Sequence, residues 1–156
     1  MSTGMSLGEV LKTAIQREQE AFFFYTDLVE MATSKESKET LEWIAREELK
    51  HRRFLVDYKT GKHAKTALQA SASIDYKLAD YLSEPEADKP LSSADIYLVA
   101  SHRELRASKF YTGLAELHTD PQIKDLLLKM ASEEMKHKEK MEYLYSNTAF
   151  GQTAGG

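Results

Sequence analysis

Glu48-Leu49-Lys50-His51 and Glu134-Met135-Lys136-His137 are one Glu-x-x-His tetrad met twice, 86 residues apart. Carried outward, the same offset lays Glu18 on Glu104 and Tyr25 on Tyr111. Residues 14–51 set against 100–137 without a gap agree at 17 of 38 positions. The agreements also include Arg17, Ala21, Phe24, Leu28, Leu41, Ala45, Glu47 and Lys50. A helical hairpin has been duplicated, and the residues its copies share are of the types that ligate metals.

Composition supports the helical reading. Of 156 residues, 42% are hydrophobic and 29% charged, with only 7 Gly and 3 Pro to interrupt helices. Four long helices are predicted, at 6–32, 36–59, 93–118 and 121–146. Ser34 or Ser37 is placed to cap the second and Ser92 or Ser93 the third, while Asp120-Pro121 starts the fourth. The 32–36 and 118–121 connections are so short that the helices within each hairpin must run antiparallel. Residues 60–92, with Gly61, Pro85 and Pro90, are too long for a turn and read as a crossover. An amphipathic piece around Ile74, Leu78, Tyr81 and Leu82 is expected to lie along the bundle. The resulting organisation is an all-α domain over 6–146, with repeat halves at about 7–59 and 93–146 and a disordered tail at 147–156.

Glu-x-x-His alone is weak evidence in a chain with 17 Glu; its position on the helix gives it force. Buried stripes advance by alternating steps of 3 and 4. They read Leu11, Ala14, Glu18, Ala21, Tyr25, Leu28 and then Leu41, Ile44, Glu48, His51, Leu55, Tyr58. In the second half they read Tyr97, Ala100, Glu104, Ala107, Tyr111, Leu114 and Leu127, Met130, Glu134, His137, Met141, Leu144. Each stripe is apolar except at mid-helix, where Glu18, Glu48, His51, Glu104, Glu134 and His137 interrupt it. Four carboxylates in one core would each cost several kcal/mol in desolvation, before repulsion. Protonation relieves part of that, and two divalent cations balance all four charges. A Glu from each of two helices and a Glu-x-x-His from each of the others is a di-iron or di-manganese arrangement. Oxygen and imidazole ligands suit iron or manganese, and zinc or cobalt would accept the same set.

The duplicated Glu…Tyr and Glu-x-x-His frames resemble the rubrerythrin branch of the ferritin-like superfamily, over essentially 6–146. The resemblance implies a ferritin-like four-helix bundle of two hairpins joined by one long crossover. It further implies that Glu18 and His51 bind one iron, that Glu104 and His137 bind the other, and that Glu48 and Glu134 bridge them. Two departures stand out. A full rubrerythrin carries a four-Cys iron domain that delivers electrons, and these residues contain no Cys. Rubrerythrins also carry a further carboxylate one turn along the third helix, where this chain has Ala107, so the iron shift linked to it is not carried over. No segment after Leu144 reads as the short fifth helix of a ferritin, so a storage shell is not expected.

The remaining residues admit two readings each. Tyr25 and Tyr111 either hydrogen-bond a ligand carboxylate, with a proton or electron role, or are core aromatics whose hydroxyls need a partner. Ala21 and Ala107 either leave room for O₂ or peroxide or simply let helices approach. His63, His102 and His118 break the repeat and read as surface residues. Trp43 and Phe22-Phe23-Phe24 exceed one stripe and suggest a second packing surface, most simply a homodimer. Lys50, Arg52 and Arg53 form either a solvated face or an attractive surface for an acidic redox partner.

Absence of Cys removes disulfides, thiolate catalysis and iron–sulfur centres. A net charge of −4 with no basic face gives no reason to expect nucleic acid. No run is long enough for a membrane span, and a cytoplasmic location is expected. The function expected is that of a non-haem di-iron oxidoreductase. It would reduce hydrogen peroxide, or O₂ with ferroxidase activity, using an external electron-transfer protein. Iron sequestration and a dimanganese catalase-like activity are the alternatives.

Overall fold

Three serines and one Asp-Pro pair set the starts of the long helices. In the computed structural model, which describes residues 6–61, 73–86 and 91–154, helix α1 spans Leu7–Met31, α2 Lys35–Lys59, α3 Leu78–Tyr81, α4 Ser93–Glu116 and α5 Pro121–Ala154. Ser6, Ser34 and Ser92 accept the N–H of Glu9, Ser37 and Asp95, each satisfying a donor that the first helical turn leaves open. Asp120 accepts from the N–H of Gln122 ahead of α5. Of the alternative caps expected from sequence, Ser34 and Ser92 are therefore the ones used. Gly61, at φ +83°, turns the chain out of α2 in a conformation that costs other residues more.

α1–α2 and α4–α5 are the two hairpins. The expected stripes face inward: every named stripe residue is buried except Tyr58 and Leu144, which are half-buried at the ends. The apolar core falls into two plugs. One holds Val10, Leu11, Leu55, Tyr111, Leu127 and Met130. The other holds Tyr25, Leu28, Leu41, Ile44, Ile96 and Met141. Between them lies the polar layer made by the mid-helix Glu and His residues, so the bundle is sealed above and below that layer.

The crossover departs from expectation. It does lie against the bundle, over α4 and α5, but its apolar residues do not hold it there: Ile74 and Tyr81 are 59% and 80% exposed. Among its described residues one helical turn forms, and small Ala79 is buried. The surface it meets is polar. Fully buried Lys138 on α5 donates to Asp75 at 2.6 Å and Glu142 at 2.8 Å. Glu142 also accepts from the Ala79 N–H, and Glu139 accepts from that of Ile74. His102 meets the Leu82 carbonyl at 2.8 Å, and Arg106 pairs with Glu84 at 2.6 Å. Ion pairs and backbone hydrogen bonds thus do what an amphipathic face was expected to do. Asp75→Ala removes one of three carboxylates within 4 Å of Lys138, the others being Asp80 and Glu142; since Asp75 is a third exposed, the expected loss is about 1 kcal/mol in a urea melt. A change within error would mean the crossover is not pinned there.

The last helix is also longer than expected. It continues past 146 to Ala154 in place of a tail beginning at 147. Asn147 to Phe150 contain no proline, and a single Gly151 costs only about 1 kcal/mol in a helix. The rest of the expected tail, 155–156, and the expected Pro90 break lie outside the described residues. Among the described residues no helix is long and apolar enough to cross a membrane.

Candidate metal centre

The four long helices bring all six candidate ligands into one layer. Glu18, Glu48, His51, Glu104, Glu134 and His137 are each at most 5% exposed. They form two overlapping clusters whose ligand atoms lie within 4.8 Å of one another. Glu18 and His51 belong to the first, Glu104 and His137 to the second, and Glu48 and Glu134 to both. His51 Nδ1 is 3.7 Å from Glu18 and 3.2 Å from Glu134. His137 Nδ1 is 3.5 Å from Glu104 and 3.0 Å from Glu48. The imidazoles stack at 5.4 Å with 11° between their planes, as the duplicated hairpins require.

These distances are short, yet the layer is not hydrogen-bonded to completion. Glu18 Oε2, Glu48 Oε1, His51 Nδ1, Glu104 Oε2, Glu134 Oε1 and His137 Nδ1 are buried without a hydrogen-bond partner. Buried polar atoms are nearly always paired, and one such orphan from each of six converging residues is a donor set that fits two hard divalent cations. Four oxygens and two imidazole nitrogens of this kind are what iron or manganese takes.

The electrostatics of the protein without metal agree. Burial, then Glu18 and Glu104, push the Glu48 carboxyl well above the usual range. Burial, then Glu104 and Glu48, do the same to Glu134. Burial would also raise Glu104, but the neighbouring His137 pulls it down. Both carboxyls shared by the two clusters are thus raised well above the usual carboxylate range when no cation is present.

Tyr25 and Tyr111 sit in opposite apolar plugs and cross the bundle. Tyr25 on α1 donates to Glu104 on α4 at 2.7 Å, and Tyr111 on α4 donates to Glu18 on α1 at 2.9 Å. Burial and the facing carboxylates hold both phenols well above their ordinary pKa, so they remain donors. Each holds one carboxylate oxygen, Oε1, and leaves Oε2 buried without a hydrogen-bond partner. Hydrogen bonds to charged groups are worth about 1.5–3 kcal/mol, so Tyr25→Phe and Tyr111→Phe are each expected to lower stability by that amount in thermal melts. A loss confined to one of them would contradict the two-fold equivalence.

Three neighbours of the layer escaped the sequence reading. Glu133 lies 3.8 Å from His51 Nε2, the nitrogen facing away from the cluster. Burial would raise Glu133, but the His51 ring and Lys136 bring it down to about 2. A carboxylate behind a ligand imidazole orients it and raises its basicity. Trp43 packs edge-on against His137 at 5.6 Å, with Lys140 4.2 Å from the indole centroid. Lys138, next to His137, ties the layer's helix to the crossover. The only sequence signal for Glu133 was its place in the repeat opposite Glu47, and Trp43 read as part of a second packing surface rather than a neighbour of the ligands.

Two expected surface histidines are corrected. His118, two residues past the end of α4, is buried, its Nδ1 2.7 Å from the Leu114 carbonyl, which the imidazole reaches by folding back over the helix end. His102 is half-buried under Leu82. His63 lies outside the described residues. Ala21 and Ala107 line a cavity over Glu18, Glu48 and Glu134. Phe22, Phe24 and Trp43 are half-buried against the second plug, and Phe23 is 55% exposed.

The family model described as Rubrerythrin matches residues 9–145. Among solved structures, a hypothetical protein of Pyrococcus furiosus, Pfu-1136390-001, is similar at 26% identity with a TM-score of 0.60. The alignment covers 93% of this chain and 91% of the other. No curated protein matches the sequence.

Proposed function

From the premise that the chain belongs to the rubrerythrin family, we propose that it is a di-iron oxidoreductase reducing hydrogen peroxide with electrons from a separate carrier protein. The observation that carries this reading is the set of six orphaned ligand atoms in two clusters that share Glu48 and Glu134. Glu18 and His51 would hold one ion and Glu104 and His137 the other, with Glu48 and Glu134 between them. When bound, two ferrous ions supply the two electrons that, with two protons, convert one hydrogen peroxide to two waters.

The chain's own residues do the rest. Tyr25 and Tyr111 keep Glu104 and Glu18 from rotating, and the Glu133 carboxylate faces His51 Nε2 from 3.8 Å. The two apolar plugs keep bulk water out of the layer. Glu48 and Glu134 would give up their protons on holding cations, so loading would release protons and strengthen with pH. The 156 residues contain no Cys, so the electrons come from a centre outside them.

Anaerobic titration of the metal-free protein with Fe(II) should saturate at two ions per chain. Adding one equivalent of hydrogen peroxide per site should then produce a ferric absorption change, and a reductant should restore the ferrous form for repeated turnover. One oxidation per site with no turnover would favour sequestration instead. Peroxide dismutation by the manganese-loaded form without any donor would favour the catalase-like alternative. Failure to bind two ions would end the reading.

A further inference from the structure

Two residue types repeated at the 86-residue offset take no part in the ligand layer: Arg17 with Arg103, and Phe24 with Phe110. They meet crosswise. The Arg17 guanidinium carbon lies 4.0 Å from the Phe110 centroid and that of Arg103 lies 5.5 Å from Phe24. Each arginine therefore reaches from its own hairpin onto an aromatic ring of the other. A planar guanidinium suits such a seat, because it stacks on a ring face and is attracted by its quadrupole.

Between these two straps lies the cavity over the layer. Its floor is Glu18, Glu48 and Glu134, its walls include Ala21 and Ala107, and Arg17 and Arg103 complete it. Of its lining residues, only the two arginines are not buried, so they form its outer rim. The cavity leaves about 10 Å³ for the centre of a water-sized molecule, near the least that admits one. Arg103 Nε has no hydrogen-bond partner, so that nitrogen does not tie the side chain down.

We infer that Arg17 on Phe110 and Arg103 on Phe24 form a paired gate that selects the oxidant by size, admitting hydrogen peroxide or O₂ and turning away alkyl hydroperoxides. The inference rests on the peroxide-reducing reading and names the residues that set its substrate range. The reaction is unchanged: two electrons and two protons cleave the O–O bond of the admitted peroxide to two waters. An alkyl hydroperoxide would give one water and one alcohol by the same balance, so size at the rim, not chemistry, separates them.

The test compares wild type with the Arg17→Ala/Arg103→Ala double variant in two ways. Co(II)-loaded proteins are titrated with azide and with the bulkier imidazole, read by their visible bands. Fe(II)-loaded proteins are mixed with hydrogen peroxide and with tert-butyl hydroperoxide in stopped flow. In wild type, azide should perturb the cobalt bands and imidazole should not, and hydrogen peroxide should react at least about 100-fold faster, the scale on which a fitted pocket rejects extra carbon. In the double variant imidazole should enter and the rate ratio should fall below about tenfold. A double variant that takes up two Co(II) yet keeps the wild-type ratio and excludes imidazole overturns the gate. Wild type that takes up no stoichiometric Co(II) or Fe(II) overturns the metal reading itself, before any peroxide is added. Should the alanine variant fail to fold, Arg17→Lys/Arg103→Lys keeps the charge and gives up the planar stack. It should shift both readouts in the same direction, and no shift overturns the gate.

Discussion

Chelating the metal from the loaded protein is expected to lower its melting temperature by about 10–20 °C. Each ion present at 100 times its dissociation constant stabilises the native state by about 2.7 kcal/mol. Two ions contribute about 5 kcal/mol, and a chain of this size shifts by about 2–4 °C per kcal/mol. The counterpart is the Glu48→Leu/Glu134→Leu variant, which loses the two carboxylates common to both clusters. It should bind no stoichiometric metal, and its melting temperature should ignore the chelator. It should also melt above the metal-free wild type, by about 1–4 kcal/mol of added stability, because two desolvated carboxyls facing Glu18 and Glu104 are replaced by apolar side chains of similar bulk. Scanning calorimetry of both proteins with and without chelator measures all of this. A variant less stable than the metal-free wild type would mean that the carboxylate layer is a structural network, fully paired in solution, and not a site kept strained for a cation.

The parts of this arrangement that were legible in advance are those governed by periodicity. Glu18, Glu48 and His51 stood on stripes of Leu, Ile and Ala at steps of 3 and 4, so burial followed from helix geometry alone, and the 86-residue offset supplied the second half. Relations across helices were not legible. That Tyr25 pairs with Glu104, and not with Glu18 on its own helix, depends on how the hairpins face one another, which no spacing encodes. Glu133 looked like any solvated Glu beside a ligand; its role appears only where His51 turns Nε2 toward it. Lys138 is hidden in the same way: a lysine in a charged stretch reads as solvated until Asp75 and Glu142 close over it. The crossover misled because Ile74, Leu78, Tyr81 and Leu82 have the spacing of an amphipathic helix, while the α5 surface awaiting them is ionic. Pattern reports what a segment offers, and the neighbouring surface decides what is used.

Metal-free protein is expected to lose stability as pH rises from about 5 to 8, whereas metal-loaded protein gains over the same interval. Glu48 and Glu134, raised by burial and then by neighbouring carboxylates, hold protons in the folded state that the unfolded chain releases near pH 4.3. Their contribution is present below that value and is lost as pH climbs toward their raised pKa. Burial pulls His51 and His137 down, but Glu133, Glu134 and Glu18 around His51, and Glu104 and Glu134 around His137, outweigh it and raise both. Their contribution is likewise present below about 6.5 and lost as pH rises through the raised value. Each pH unit over which one such group is protonated only when folded costs about 1.4 kcal/mol, and four groups act in the same direction. On the acid side, Glu104 and Glu133 are lowered, Glu133 to about 2. Their contribution is present above the ordinary carboxylate pKa and is lost as pH falls through the depressed values, so the metal-free curve has its maximum near the ordinary carboxylate pKa. Cations reverse the alkaline limb because they compete with the protons on Glu48, Glu134 and the imidazoles. Urea midpoints at pH 5, 6, 7 and 8, taken with and without metal, should therefore diverge steadily. In Glu48→Leu/Glu134→Leu the metal-free alkaline slope should flatten, since only the histidines still contribute. A metal-free wild type that grows more stable from pH 5 to 8 would show that the layer does not store protons in place of metal.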